Sequence, residues 1–112
     1  MEEAYKLVRK IGIRSHYVGF EYLVHCIYFV MTDRSYLRNV TGKLYVEVGK
    51  IYGVSGGSVE AAMRRMIWDY WNQHGDSILL KIAGQRLYNR PTAMELIAIL
   101  ADYLREHTGK SK

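Results

Sequence analysis

Two adjacent arginines, Arg64 and Arg65, follow Glu60 by one helical turn, with Ser55, Gly57, Ser58 and Ala61 just ahead of them. Residues four apart share a helix face, so Glu60 and Arg64 stand side by side if this stretch is helical. A guanidinium offers paired N–H donors that match guanine or a phosphate. A carboxylate accepts a bond from cytosine's amino group or orients a neighbouring arginine. Ser55 is placed as an N-cap, which leaves free N–H groups and the positive end of a helix dipole close to any phosphate nearby. Trp68 shares the face of the two arginines. It is placed to cover that helix against a partner or to touch a nucleic-acid backbone.

Other chemistry has less to stand on. His25 and Cys26 are neighbours, and adjacent helical positions point about 100° apart, so the pair is read as core packing and not as metal ligands. His16, His74 and His107 are scattered without ligand spacing. Ser55-Gly56-Gly57-Ser58 lacks the lysine and the flanking spacing of a phosphate-binding loop. Glu47, Asp69 and Asp102 read as helix-surface charges. No catalytic constellation, metal site or cofactor is expected; the ten tyrosines, with Trp71, offer rings on which bases could stack, but nearly all are assigned to packing.

The elements that must position the arginines follow from periodicity. Few stretches alternate with the period of a strand, and several repeat with that of a helix. Residues 3–11 align Ala4, Leu7, Val8 and Ile11, and Gly12 ends the stripe. Residues 19–32 are apolar most of the way round, with Phe20, Leu23, Val24, Ile27, Tyr28, Val30 and Met31, and belong at the centre of the core. Ser35 to Arg38 suits a short helix or turn. Helices over roughly 41–52 and 56–73 flank Gly53-Val54-Ser55. Asp76 and Ser77 are placed to cap a shorter helix to about Ala83, and a loop or small hairpin is expected at 85–90. Thr92 with Glu95 forms a capping box at the start of a last helix, whose stripe runs through Leu96, Ile97, Leu100, Ala101 and Leu104.

Residues 43–67 have the pattern of a helix-turn-helix. Two helices crossing steeply need a small residue at the crossing and a left-handed turn residue, and Gly49 and Gly53 supply them. Val48, Tyr52, Val54, Val59, Met63 and Met66 are expected to anchor the pair, with Ala62 beside them. The stripe Val59, Ala62, Met63, Met66, Ile67 and Tyr70 then faces inward, and Gly57, Ser58, Glu60, Ala61, Arg64, Arg65 and Trp68 face outward, toward a major groove. A helix pair with a glycine turn is also common in bundles, and exposed arginines are often merely solvated. The pattern alone leaves both readings open.

The ordered series carries more. Ile11-Gly12-Ile13, His16, Gly19-Phe20-Glu21-Tyr22-Leu23, Leu44-Tyr45, Val59-Glu60, Ala62, Arg64, Ile67, Asp76-Ser77-Ile78, Gly84, Pro91-Thr92, Glu95, Ile97-Ala98, Ala101-Asp102 and Leu104-Arg105 run through nearly the whole chain. In this series the chain resembles the C-terminal DNA-binding effector domain of the stage-zero sporulation response regulator. The resemblance implies an all-α domain of about six helices with a central helix-turn-helix, of the winged-helix-like DNA-binding superfamily. It implies reading of a short box in double-stranded DNA, a homodimer on tandem sites, and contact with an RNA polymerase sigma factor. Glu60 and Arg64 match DNA-contacting positions. Ser58 and Ala61 stand where the family has arginines, and Arg65 stands where a histidine is usual. Asp76, Ser77, Ile78 and Lys81 fall in the activator region, which matches only in part. An alternative motivated by Ser58 and Ala61 is a protein-interaction module that keeps the fold and modulates a full-length regulator without reading DNA.

Composition is consistent with either role. The 112 residues suffice for one domain, expected over 1–112. The net charge of +5 permits attraction to phosphate backbones or anionic membranes. One cysteine cannot form an internal disulfide. No apolar run reaches the roughly 18 residues needed to span a bilayer, and the acidic start is unlike a secretory signal. A cytoplasmic protein that is not an enzyme is expected.

Overall fold

The computed structural model describes residues 1–74, 77–84 and 87–107. Among the described residues six α-helices follow in order: α1 (Glu2–Lys10), α2 (Val18–Thr32), α3 (Tyr45–Tyr52), α4 (Gly56–His74), α5 (Ser77–Ala83) and α6 (Ala93–His107). A 3₁₀ turn at Arg34–Arg38 and a π-helical turn at Val40–Leu44 lie between α2 and α3. No strand is present among the described residues, so the fold is all-α, and residues 87–90 of the expected loop or small hairpin are loop. Among the described residues no helix is long and apolar enough to cross a membrane.

α2 is the central post. Phe20, Leu23, Val24, Cys26, Ile27 and Val30 are buried, because α1, α4 and α6 all pack against this one helix. Its near-uniform apolarity has limits, however. Tyr28 is 40% exposed and Val18 64% exposed, so Tyr28 does not join the core as its place in an apolar helix suggests. An all-apolar helix offers several equivalent stripes, and only the positions of its neighbours choose among them. α4 approaches α2 closely at Gly19, where a Cβ would lie 2.9 Å from the Ala62 carbonyl oxygen. That contact brings two backbones together without an intervening side chain.

Three anchors hold the ends. The Tyr70 hydroxyl donates to the Ile11 carbonyl at 2.6 Å and ties the loop after α1 to α4. Thr92 and Glu95 form the capping box: the Thr92 N–H donates to Glu95 Oε1 at 2.9 Å, and the Glu95 N–H to Thr92 Oγ1 at 3.1 Å. Arg34 reaches Asp102 at 2.8 Å, joining the 3₁₀ turn to α6. The last is half exposed and contributes less than about 1 kcal/mol.

Candidate nucleic-acid interface

The outward edge of α4 depends on how α3 meets it. Gly53 adopts a left-handed conformation (φ 72°), which lets the Val54 N–H turn back to the Gly49 carbonyl at 2.9 Å. Gly49 is the crossing point: a Cβ there would collide with the Val54 carbonyl oxygen, which is backbone and has no cheap way to move. The chain then enters α4 through Ser55, whose Oγ accepts the Ser58 N–H at 3.0 Å. Ser55 is thus the N-cap that the sequence indicates. Its hydroxyl also donates to Ser58 Oγ at 3.1 Å.

Val59, Met63, Met66, Ile67 and Tyr70 are buried under α4, and Val48 and Tyr45 under α3. Of the expected anchors, Tyr52 and Ala62 are half-buried. Val54 departs from the pattern. It lies in the turn and is exposed, because its backbone and not its side chain makes the contact with Gly49. Tyr52 packs outward from α3 onto α2, with its hydroxyl 2.7 Å from His25 Nδ1. Burial pushes the Tyr52 hydroxyl up to about 12. His25 is therefore a half-buried partner of the helix-turn-helix and not only a packing residue, while Cys26 beside it is sealed in the core with its thiol pushed up by burial.

The proposed reading edge stands in solvent. Gly57, Ser58, Arg64 and Arg65 are exposed, and Glu60 and Ala61 are half-buried. Arg64 pairs with Glu60 one turn before it. The anticipated orienting role of Glu60 requires such a pair. Both side chains remain substantially exposed, so the pair holds Arg64 by no more than about 1 kcal/mol and yields to a better partner. Arg65 has no ion pair among the described residues.

The sequence reading missed Arg90. The short segment before α6 runs along the flank of α4 and sets the Arg90 guanidinium over the Trp68 ring, 4.1 Å from its centroid. Arg64, Arg65, Trp68, Asp69 and Arg90 line an open groove of about 500 Å³. A smaller hollow of about 150 Å³ between Glu60, Arg64 and Arg90 continues it toward Pro91 and Thr92. The only sequence signal was a cation directly before the proline and capping threonine of α6, a motif with an evident helix-starting role. Twenty-one residues lie between Trp68 and Arg90, and nothing in their spacing brings them together.

Two of the residues expected in an activator region are carried by a different helix. Ile78 and Lys81 are exposed on α5. Asp76 and the Ser77 side chain lie outside the described residues. Among the described residues no group of three or more His, Cys, Asp or Glu converges on a point.

Residues 4–104 match the family described as Sporulation initiation factor Spo0A C terminal. The chain belongs to that family, the DNA-binding effector domain of a sporulation regulator, and is a DNA-binding regulatory domain and not an enzyme.

Proposed function

We propose that this member of the Spo0A C-terminal family regulates transcription by laying α4 in the major groove of duplex DNA, with Arg64 as its principal base-reading residue. Glu60 orients Arg64 and accepts from cytosine where the target offers one. Arg65 serves the adjacent phosphates or a second guanine. Gly57, Ser58 and Ala61 let the backbone of the first turns approach the groove floor closely. Ser55 leaves the remaining N–H groups of the helix start to a phosphate.

The observation that supports this reading is the solvent-facing edge from Gly57 to Arg65, carried on a helix pair locked at Gly49. A groove about 12 Å wide admits a helix with such an edge. Ser58 and Ala61 replace two arginines of the family pattern, so the target differs from the family's usual box. Two copies on tandem sites, and contact of α5 with a polymerase sigma factor through Ile78 and Lys81, extend the same reading.

The test is selection of bound duplexes from a random pool, followed by titration of the enriched sequence. Arg64→Ala is expected to weaken binding to that sequence about 10- to 100-fold, as for one bidentate base contact, and to relax preference at one position. Equal affinity of wild type for enriched and scrambled duplexes overturns specific reading. Absence of any shift at low salt, with recovery of a full-length relative in a pull-down, favours the interaction module instead.

A further inference from the structure

Trp68 is half exposed on the face that carries the arginines, one turn beyond Arg64 and Arg65. A large aromatic there has no core to fill. What it touches is Arg90, at 4.1 Å from the ring centroid. Arg90 makes no ion pair among the described residues. Its guanidinium therefore rests on an indole, which restrains the long side chain without occupying its N–H donors. The three acids that share hollows with Arg90 are otherwise engaged, Glu60 by Arg64, Asp69 by the Tyr17 hydroxyl at 3.4 Å and Glu95 by the Thr92 N–H at 2.9 Å.

The place of this stack along the helix matters as much as its chemistry. The first turns of α4 have Ser58 and Ala61 on the outward face and so no cation before Arg64. Arg64, Arg65 and Arg90 gather instead around the middle of α4. A recognition helix that meets bases near its start runs out past a phosphate strand further along. A cation held beside the helix, and not projecting from it, is suited to that strand.

We propose that Arg90 is a phosphate-contacting residue at the flank of the recognition helix and that Trp68 is its positioning residue, holding the guanidinium at the groove's edge by cation–π contact. This inference rests on the DNA-binding reading above and adds a second contact from a different element, the segment leading into α6. Its ligand is the DNA backbone, so it contributes affinity on every sequence and no discrimination between sequences.

The experiment measures the dissociation constant of the whole domain for a short random-sequence duplex across a series of salt concentrations. The variants are Arg90→Gln, Trp68→Ala, Trp68→Phe, the double variant Trp68→Ala with Arg90→Gln, and Arg64→Ala, each with its melting curve. Arg90→Gln is expected to lower the slope of log affinity against log salt by about 0.9, the value of one phosphate contact on duplex DNA. Its loss of affinity at moderate salt is about two- to fivefold. Trp68→Ala weakens binding in the same direction, Trp68→Phe retains most of it, and Trp68→Ala has no further effect once Arg90 is replaced. A wild-type slope and affinity in Arg90→Gln, alongside a weakened Arg64→Ala, overturns the assignment of Arg90 and leaves the recognition helix standing. Equal losses from Trp68→Ala with and without Arg90 overturn the positioning role, since Trp68 would then touch DNA itself. No binding by wild type at low salt overturns the DNA reading beneath both.

Discussion

The same substitution, glycine to alanine, is expected to have three different outcomes within nine residues of this chain. At Gly49 the added methyl meets the Val54 carbonyl oxygen across the α3–α4 crossing. Relief requires one helix to move off the other, and overpacking of this kind costs about 3 kcal/mol at the upper end of its range. Alanine in place of glycine inside a helix returns about 1 kcal/mol. The net loss is about 2 kcal/mol, or roughly 8 °C in melting temperature for a domain this size. At Gly53 there is no neighbour within 4 Å of the new methyl, but φ is 72°. Gly53→Ala therefore costs about 1 kcal/mol from backbone conformation alone. At Gly57 the nearest atom is Ser55 Oγ at 3.8 Å and the site is an ordinary exposed helix position. Gly57→Ala gains up to about 1 kcal/mol. Urea denaturation of the three variants gives the free energies directly, and duplex titration gives the second readout. Gly49→Ala should lose DNA affinity beyond what unfolding explains, because the surviving folded molecules carry α4 at an altered angle. A Gly49→Ala domain as stable as Gly57→Ala would refute the idea that the crossing is set by backbone contact.

Two further outcomes test the anchors and the altered reading edge. Tyr70→Phe removes the buried donor to the Ile11 carbonyl and is expected to cost about 1–3 kcal/mol in chemical denaturation. Burial raises the Tyr70 hydroxyl from near 10 to about 12, so the neutral form is favoured by folding; its contribution is intact below pH 10 and falls by about 2 kcal/mol as the pH climbs to 12. A Tyr70→Phe domain should show a shallower loss of stability over that window, and an unchanged alkaline limb would count against the assignment. At the helix start, Ser58→Arg with Ala61→Arg restores cations on the outward face of α4. Affinity for random duplex should rise and the salt slope steepen by up to about 2, one step per new phosphate contact, as read by salt-dependent titration.

What was legible in the sequence was mostly local. The capping box at Thr92 and Glu95, the N-cap at Ser55 and the left-handed Gly53 each depend on residues within a few positions, and each formed as its spacing indicates. The outward face of α4 was legible for a related reason: a helix with one clearly apolar stripe declares its opposite face. The features that escaped notice are long-range. Gly19 reads as an isolated glycine in an apolar helix until the Ala62 carbonyl lies against it. His25 reads as core until Tyr52, which is 27 residues away, reaches its ring. α2 carries too many apolar positions for periodicity to exclude Tyr28 from the core.

Arg90 shows how the two kinds of information combine at the interface. Its neighbours in sequence, Pro91 and Thr92, explain themselves as the start of α6, so the arginine looks like an incidental surface charge. Yet the capping box fixes where α6 begins, and the packing of Leu96, Ile97 and Leu100 into the core fixes how α6 lies against α2 and α4. Those constraints carry the preceding residue to the flank of α4, opposite Trp68. Positive charge is thus missing from the first turns of α4, at Ser58 and Ala61, and gathered further along it from two separate elements. A domain arranged this way should depend on the α4–α6 packing for affinity and on the α3–α4 crossing for orientation. Lesions of the two kinds are therefore separable: loss of Arg90 leaves sequence preference intact while weakening every complex, whereas a displaced α4 erodes preference first.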